Sequence, residues 1–338
     1  MRMKPVAFLL LVTAIIMGSV RLPAEIEFSG MLQTWLSYAP LNENNPVGFT
    51  LRRVRFTPRG TLSESLTWVL QFGWDKQTAA LVDAYLEWKA SEHFMLRLGK
   101  YTVPGTISSS LTSSSRLDMV ERPEITLKWS QWNELSQYRS LGLQVHGNIL
   151  NNKLYYAVML ANNSTAGLFT PTTGEAEYDA SPGLTLWNRL EARPVGTIRI
   201  GAFYGRGWLT GIGTPRSSYG IHAFYVKHPI RFKIEYIAGE IEDEPISIEY
   251  HGMYALFGVQ VSKTLELLVQ YDDYSPGGEN GDEEGVEHYK NITLGCNVLA
   301  SKSIKLQANY VIRRESMAGV DTEEPENDLI CINVQYTF

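Results

Sequence analysis

Arginine and lysine recur along this chain at spacings that put side chains on one side of an extended strand. Arg53, Arg55 and Arg59 form one such set and Arg189 and Arg193 a second, with Arg199, Lys305 and Arg313 phased to matching faces of later segments. Arg97 and Lys100 lie close together in another segment, and Arg116 falls in a hydroxyl-rich stretch. Guanidinium groups that converge on a common space stabilise anions, by charge and by paired N–H donors. Two readings of these eleven residues stand side by side. They line a wet passage and lower its barrier for anions, or they pair with Asp83, Glu87, Glu191, Glu235, Glu266 and Asp272 and hold a wall in place without selecting anything.

Other chemistry is poorly supported. The six histidines (His93, His146, His222, His228, His251 and His288) show no metal-ligand spacing. No G-x-S-x-G elbow, P-loop or dinucleotide fingerprint occurs. Ser140 lies too far along its strand from His146 and Asn148 to share a proton with them. Neither an enzyme nor a metal or other cofactor is therefore expected. A formal net charge of −6 argues against a nucleic-acid partner. Cys296 and Cys331 phase to opposite faces, so no disulfide is expected.

The elements that would position the basic residues are strands. The 338 residues are 44% hydrophobic, 11% aromatic and 20% charged, enough apolar surface for a folded chain. Residues 1–24 have a basic start, an apolar run and a small residue at Ala24, the pattern of a cleaved signal peptide. From Glu25 to Phe338, period-two alternation marks sixteen segments of about the ten residues that cross a bilayer core as tilted strands. Links after even-numbered segments are tight, as at Asn151-Asn152, His228-Pro229 and Lys263-Thr264. Most links after odd-numbered segments are long and polar, as at 40–47, 102–138, 164–182 and 275–289. Short turns on one side and long loops on the other are the layout of an outer-membrane barrel. In the last segment Ile330, Ile332, Val334, Tyr336 and Phe338 oppose Cys331, Asn333, Gln335 and Thr337, an apolar face for lipid and a polar one for a wet lumen. Trp35, Trp74, Trp88, Tyr101, Tyr274, Tyr310 and Tyr336 lie near segment ends, where aromatic girdles are expected.

One region carries a resemblance. Leu51-Arg52-Arg53-Val54-Arg55-Phe56 is followed by Asp83-Ala84-Tyr85, by Leu96-Arg97-Leu98-Gly99-Lys100-Tyr101-Thr102-Val103-Pro104, by Glu121-Arg122, and by Leu141-Gly142-Leu143-Gln144-Val145-His146-Gly147. These motifs, in this order over residues 50–150, resemble the phosphate-selective porin O and P family. The resemblance implies a sixteen-stranded antiparallel transmembrane β-barrel in the bacterial outer membrane, a homotrimer, with a long third loop folded into the lumen as a constriction. The sequence supplies that loop at 102–138, with Arg116, Arg122 and Lys128 around an uncharged Ser108–Ser115 core. Phe338 at the end of Val334-Gln335-Tyr336-Thr337-Phe338 resembles the terminal signal read by the barrel-assembly machinery.

Charge by location refines the expectation. Without residues 1–24, 27 basic residues face 36 acidic ones, and fourteen of the acids lie in three loops around 240–244, 279–287 and 321–328. The rest of the barrel is therefore basic, and Arg231 and Lys233 add to its inner face. Arg52 phases to the wrong face and is expected at the outer rim. The function expected is passive diffusion of small hydrophilic solutes, anion-preferring and extending to phosphate. The alternative is a plugged structural or adhesive barrel.

Overall fold

The alternating Val, Ile, Tyr, Phe and Trp positions form strands because branched and aromatic side chains pack well on a pleated surface. The hairpin at Asn151-Asn152 turns with Leu150, Asn151 and Asn152 all at positive φ (54°, 55° and 64°), a conformation that asparagine tolerates. The computed structural model of the chain describes residues 26–39, 46–75, 78–127, 139–162, 184–208, 216–243, 246–276, 286–317 and 327–338. The signal peptide expected at 1–24, Lys128 and most of the acidic residues at 279–287 and 321–328 lie outside the described residues.

The strands are β1 (Glu27–Tyr38), β2 (Val47–Ser63), β3 (Leu66–Asp75), β4 (Thr78–Lys89), β5 (Met95–Thr102), β6 (Arg139–Ile149), β7 (Leu154–Asn162) and β8 (Leu184–Ala192), followed by β9 (Ile198–Trp208), β10 (Arg216–Lys227), β11 (Ile230–Asp243), β12 (Ile246–Gln260), β13 (Leu265–Ser275), β14 (Val286–Leu299), β15 (Ile304–Met317) and β16 (Leu329–Thr337). Each pairs with its sequence neighbours, and β1 closes on β16 from Met31↔Thr337 to Tyr38↔Ile330, so the sixteen strands form a closed antiparallel barrel. Closure leaves no sheet edge to lipid, the condition for spanning a bilayer with strands. The acidic run at 240–244 starts inside β11, where Glu240 pairs with Glu249, because the hairpin ladder continues past the apolar band.

The faces sort as the alternation predicts. Ile330, Ile332, Val334 and Tyr336 are exposed on the outside, and Cys331, Asn333 and Gln335 are buried on the inside. Both cysteines are free. The inner face departs from a uniformly polar wall. Residues 103–127 lie inside the barrel, and Val103, Ile107, Met119 and Ile125 pack on an apolar patch built from Met159, Trp187, Phe203, Tyr254, Leu256 and Tyr274. That part of the lumen is a hydrophobic core. It draws in Tyr101 and Tyr274, each at most 1% exposed, which the sequence placed in the girdles.

Candidate functional site

The Leu51–Phe56 strand owes its double arginine to a β-bulge. Gln33 pairs with Arg53 and Thr34 with Leu51, so Arg52 is the extra residue and is re-aimed inward. Arg52 is therefore not a rim residue: it lies 4.9 Å over the Trp35 ring, which also turns inward, and donates to Glu121 of the loop (2.6 Å). Arg53 donates to both Glu121 oxygens (2.6 and 2.9 Å) and to Gln33. Burial alone would raise the Glu121 carboxyl, but Arg53 and Arg52 together hold it below its ordinary value. Arg122 donates to the Ser108 and Thr112 carbonyls and folds the loop tip onto itself. The Glu-Arg pair of the sequence is thus one residue that fastens the loop to the wall and one that shapes it.

The Asp-Ala-Tyr, Leu-x-Gly-Lys and His-Gly motifs meet on β4, β5 and β6. Glu87 takes Arg97 Nε at 2.7 Å and His146 Nε2 at 3.1 Å, and Arg97 stacks over Tyr85 and Tyr101 at 4.6 and 5.2 Å. Gly99 sits at φ 136°, and a Cβ there would come within 2.2 Å of the Ala84 carbonyl, so only glycine fits. Arg139 donates to Asp83 (2.6 Å). Lys100 does not line the pore. Its register partners are Ala84 and Leu141, it shares the outward face with Leu98, and its ammonium reaches the Leu81 carbonyl (3.0 Å). The reason is parity, since Lys100 is an odd number of residues from inward Arg97 and Tyr101.

Two hubs fasten the opposite wall. Glu191, fully buried, accepts from Arg193 (2.8 Å), Arg199 (2.9 Å) and Arg189 (3.0 Å), and Arg189 also donates to the Gly105 carbonyl at the start of the loop (2.5 Å). Asp118 of the loop binds Arg231 and Lys233, and Arg231 reaches Glu266 (2.7 Å). Glu235, 0% exposed, is not paired with a guanidinium as expected, and instead accepts from Ile107 N (2.7 Å), Ser108 N and the Ser108 hydroxyl. Asp272 accepts from Glu124 N (3.0 Å). Lys305 donates to the Leu117 and Ser115 carbonyls. Gln33, Asn297, Asn309 and Gln335 add amide contacts to Ser114, Asp118, Val120 and Ser115. A segment that touches β1, β2, β8, β11, β13, β14, β15 and β16 at once can only be inside the ring.

An open space of about 400 Å³ remains between the loop tip and the β1–β6 wall. Arg55 lines it, with its guanidinium held by both Asp75 oxygens (2.5 and 2.6 Å). Arg59 is exposed and pairs with Glu27. Arg116 is exposed on the loop and has no side-chain partner among the described residues. Arg313 is half-buried towards the C-terminal end of β15, where its backbone N–H donates to Asp328. Most of the wall arginines thus take the pairing alternative. The residues that the basic-spacing argument missed are loop carboxylates Asp118 and Glu121 and the inward amides. The only signal for the amides is their recurrence at inward positions of β14, β15 and β16.

Residues 33–183 match the sequence model of the family described as phosphate-selective porin O and P. A protein of unassigned function from Aquifex aeolicus (strain VF5) is 33% identical over 115 residues, which is 34% of this chain and only 27% of that protein. The barrel is similar to the anion-selective porin from Comamonas acidovorans, with a TM-score of 0.68 at 14% identity over 94% of this chain and 100% of that one. It is also similar to the in-vitro folded trimer form of OmpT from Vibrio cholerae, with a TM-score of 0.63 at 13% identity over 93% and 99% of the two chains. Over residues 33–183 the chain carries the phosphate-selective porin O and P signature, and as a whole it is a porin-fold barrel of the bacterial outer membrane.

Proposed function

We propose that this porin passes small hydrophilic solutes by passive diffusion with a preference for anions that extends to phosphate. One observation carries the anion preference: three guanidiniums, Arg189, Arg193 and Arg199, share the single Glu191 carboxylate. Even with Glu235 acting on Arg189, the cluster keeps a positive surplus. Arg193 and Arg199 are 34% and 40% exposed, so that surplus reaches water. Arg53, Arg55 and Arg97 act through their carboxylate partners as supports of the wall and the loop. The chain acts as a channel and not as an enzyme.

The test is a planar bilayer with a potassium chloride gradient, reading conductance and reversal potential together. Stepwise conductance with an anion-selective reversal is the expected result. A half-exposed guanidinium separates a passing anion from a passing cation by about 0.5 kcal/mol in salt, so Arg193→Gln with Arg199→Gln should lower the anion-to-cation permeability ratio by about fivefold. An unchanged ratio would remove the cluster from selectivity. A folded barrel without conductance would favour the plugged structural reading.

The assembly partners proposed are outer-membrane lipid, two further copies in a homotrimer, and the barrel-assembly machinery at Phe338. Lys100 supports the trimer. It lies five residues above the start of β5, about 13 Å up a strand tilted by about 40°, among Leu98, Leu141 and Ala84. A lysine facing lipid at that depth costs about 2–4 kcal/mol, and a covering subunit removes that cost.

A further inference from the structure

We infer that the open part of the lumen recognises uncharged polyhydroxylated solutes, of which sugars are the simplest class. The inference rests on the channel reading and adds a solute class to it. The space of about 400 Å³ is of small-molecule size. Its loop side is a rim of hydroxyls, Ser110, Thr112, Ser113, Ser114 and Ser115, and its wall side carries Thr57 and Gln71, which are bonded to each other at 2.9 Å. A hydroxyl both donates and accepts, so such a rim matches solute hydroxyls and offers an anion only part of its capacity.

The cations on this lining already have acceptors. Arg55 grips both Asp75 oxygens, Arg139 grips Asp83, and Arg122 donates to the Ser108 and Thr112 carbonyls. An anion would have to compete with built-in carboxylates for them. A polyol has no ionic partner to displace: the rim hydroxyls are bonded to the loop or to each other, as Thr112 to the Ile107 carbonyl and Ser113 to Ser115, each keeps spare capacity, and the polyol can donate to Asp83, which lines the same space. One rim group is also unsatisfied: the Ser110 hydroxyl is buried and has no hydrogen-bond partner among the described residues. The positive surplus lies elsewhere, since Arg189, Arg193, Arg199 and Arg116 are all outside this lining. Field and rim therefore act on different groups of a passing solute.

The experiment uses the mature barrel in proteoliposomes, with swelling rates for glucose and for a polyether of similar size, and planar-bilayer current block by glucose and by inorganic phosphate. Glucose should enter at least threefold faster than the polyether and block current at millimolar concentration. Ser110→Ala combined with Ser113→Ala and Ser115→Ala should remove both effects while unit conductance and reversal potential stay as in the parent. Those two unchanged values also establish that the variant folds. Equal rates for glucose and polyether in the parent would overturn the inference, as would a variant that keeps the difference. Current block by phosphate, but not glucose, that the triple variant abolishes would also overturn it, making the rim an anion site. A barrel without conductance would overturn the channel reading itself, and the inference with it.

Discussion

Glu121 takes two guanidiniums from adjacent residues of one strand, a pairing that only the bulge at Arg52 permits. Because its folded-state proton affinity is depressed, the stability it contributes is complete above the ordinary carboxylate pKa of 4.5 and is lost as pH falls through its lower folded value. Unit conductance should therefore hold from neutrality to about pH 4.5 and change only at more acid pH. Glu121→Gln should bring the acid behaviour to neutral pH, and should cost about 1–3 kcal/mol because the two guanidiniums lose an ionic acceptor. A pH series of single-channel recordings on both forms checks this. Gly99 gives a second expectation at this scale. Gly99→Ala should lower folding yield in detergent, since no rotamer relieves a Cβ pressed on the Ala84 carbonyl.

At the scale of strands, legibility followed the strength of the repeat. β15 and β16, with an uninterrupted apolar/polar alternation, were readable residue by residue from the sequence, and all sixteen strands were found within a few residues. What alternation cannot reveal is a slip within a strand. The bulge at Arg52 moved an arginine from the outer rim to the lumen, and no residue type in Leu51–Phe56 marks it. Partner choice was also illegible, because a carboxylate in a distant loop competes for Arg53 on equal chemical terms with one on the wall. The wall around Lys100 yields a prediction at this scale. If a second copy covers it, Lys100→Leu should weaken the trimer on native gels and leave the heat-modifiable barrel intact. If lipid covers it, the same change should stabilise the barrel by about 2–4 kcal/mol and leave assembly untouched.

Across the whole molecule, the basic body expected from the charge arithmetic is real in composition and mostly spent on internal pairing. Asp75, Asp83, Glu87, Asp118, Glu121 and Glu191 each hold at least one inward guanidinium. In the reading proposed above, selectivity rests on what pairing leaves over, the Glu191 cluster and Arg116, and not on the number of arginines. Among the described residues, the same pairing fills one side of the ring with a loop on a hydrophobic core and leaves an open space on the β1–β6 side.

The tethers of the loop also carry information about time. Gln33 lies on the first strand and Gln335 on the last, they bond to each other at 2.8 Å, and each also donates to the loop, at Ser114 and Ser115. The bond between them exists only once the two ends of the sheet have met. Closing the ring and holding the loop tip therefore draw on the same two amides.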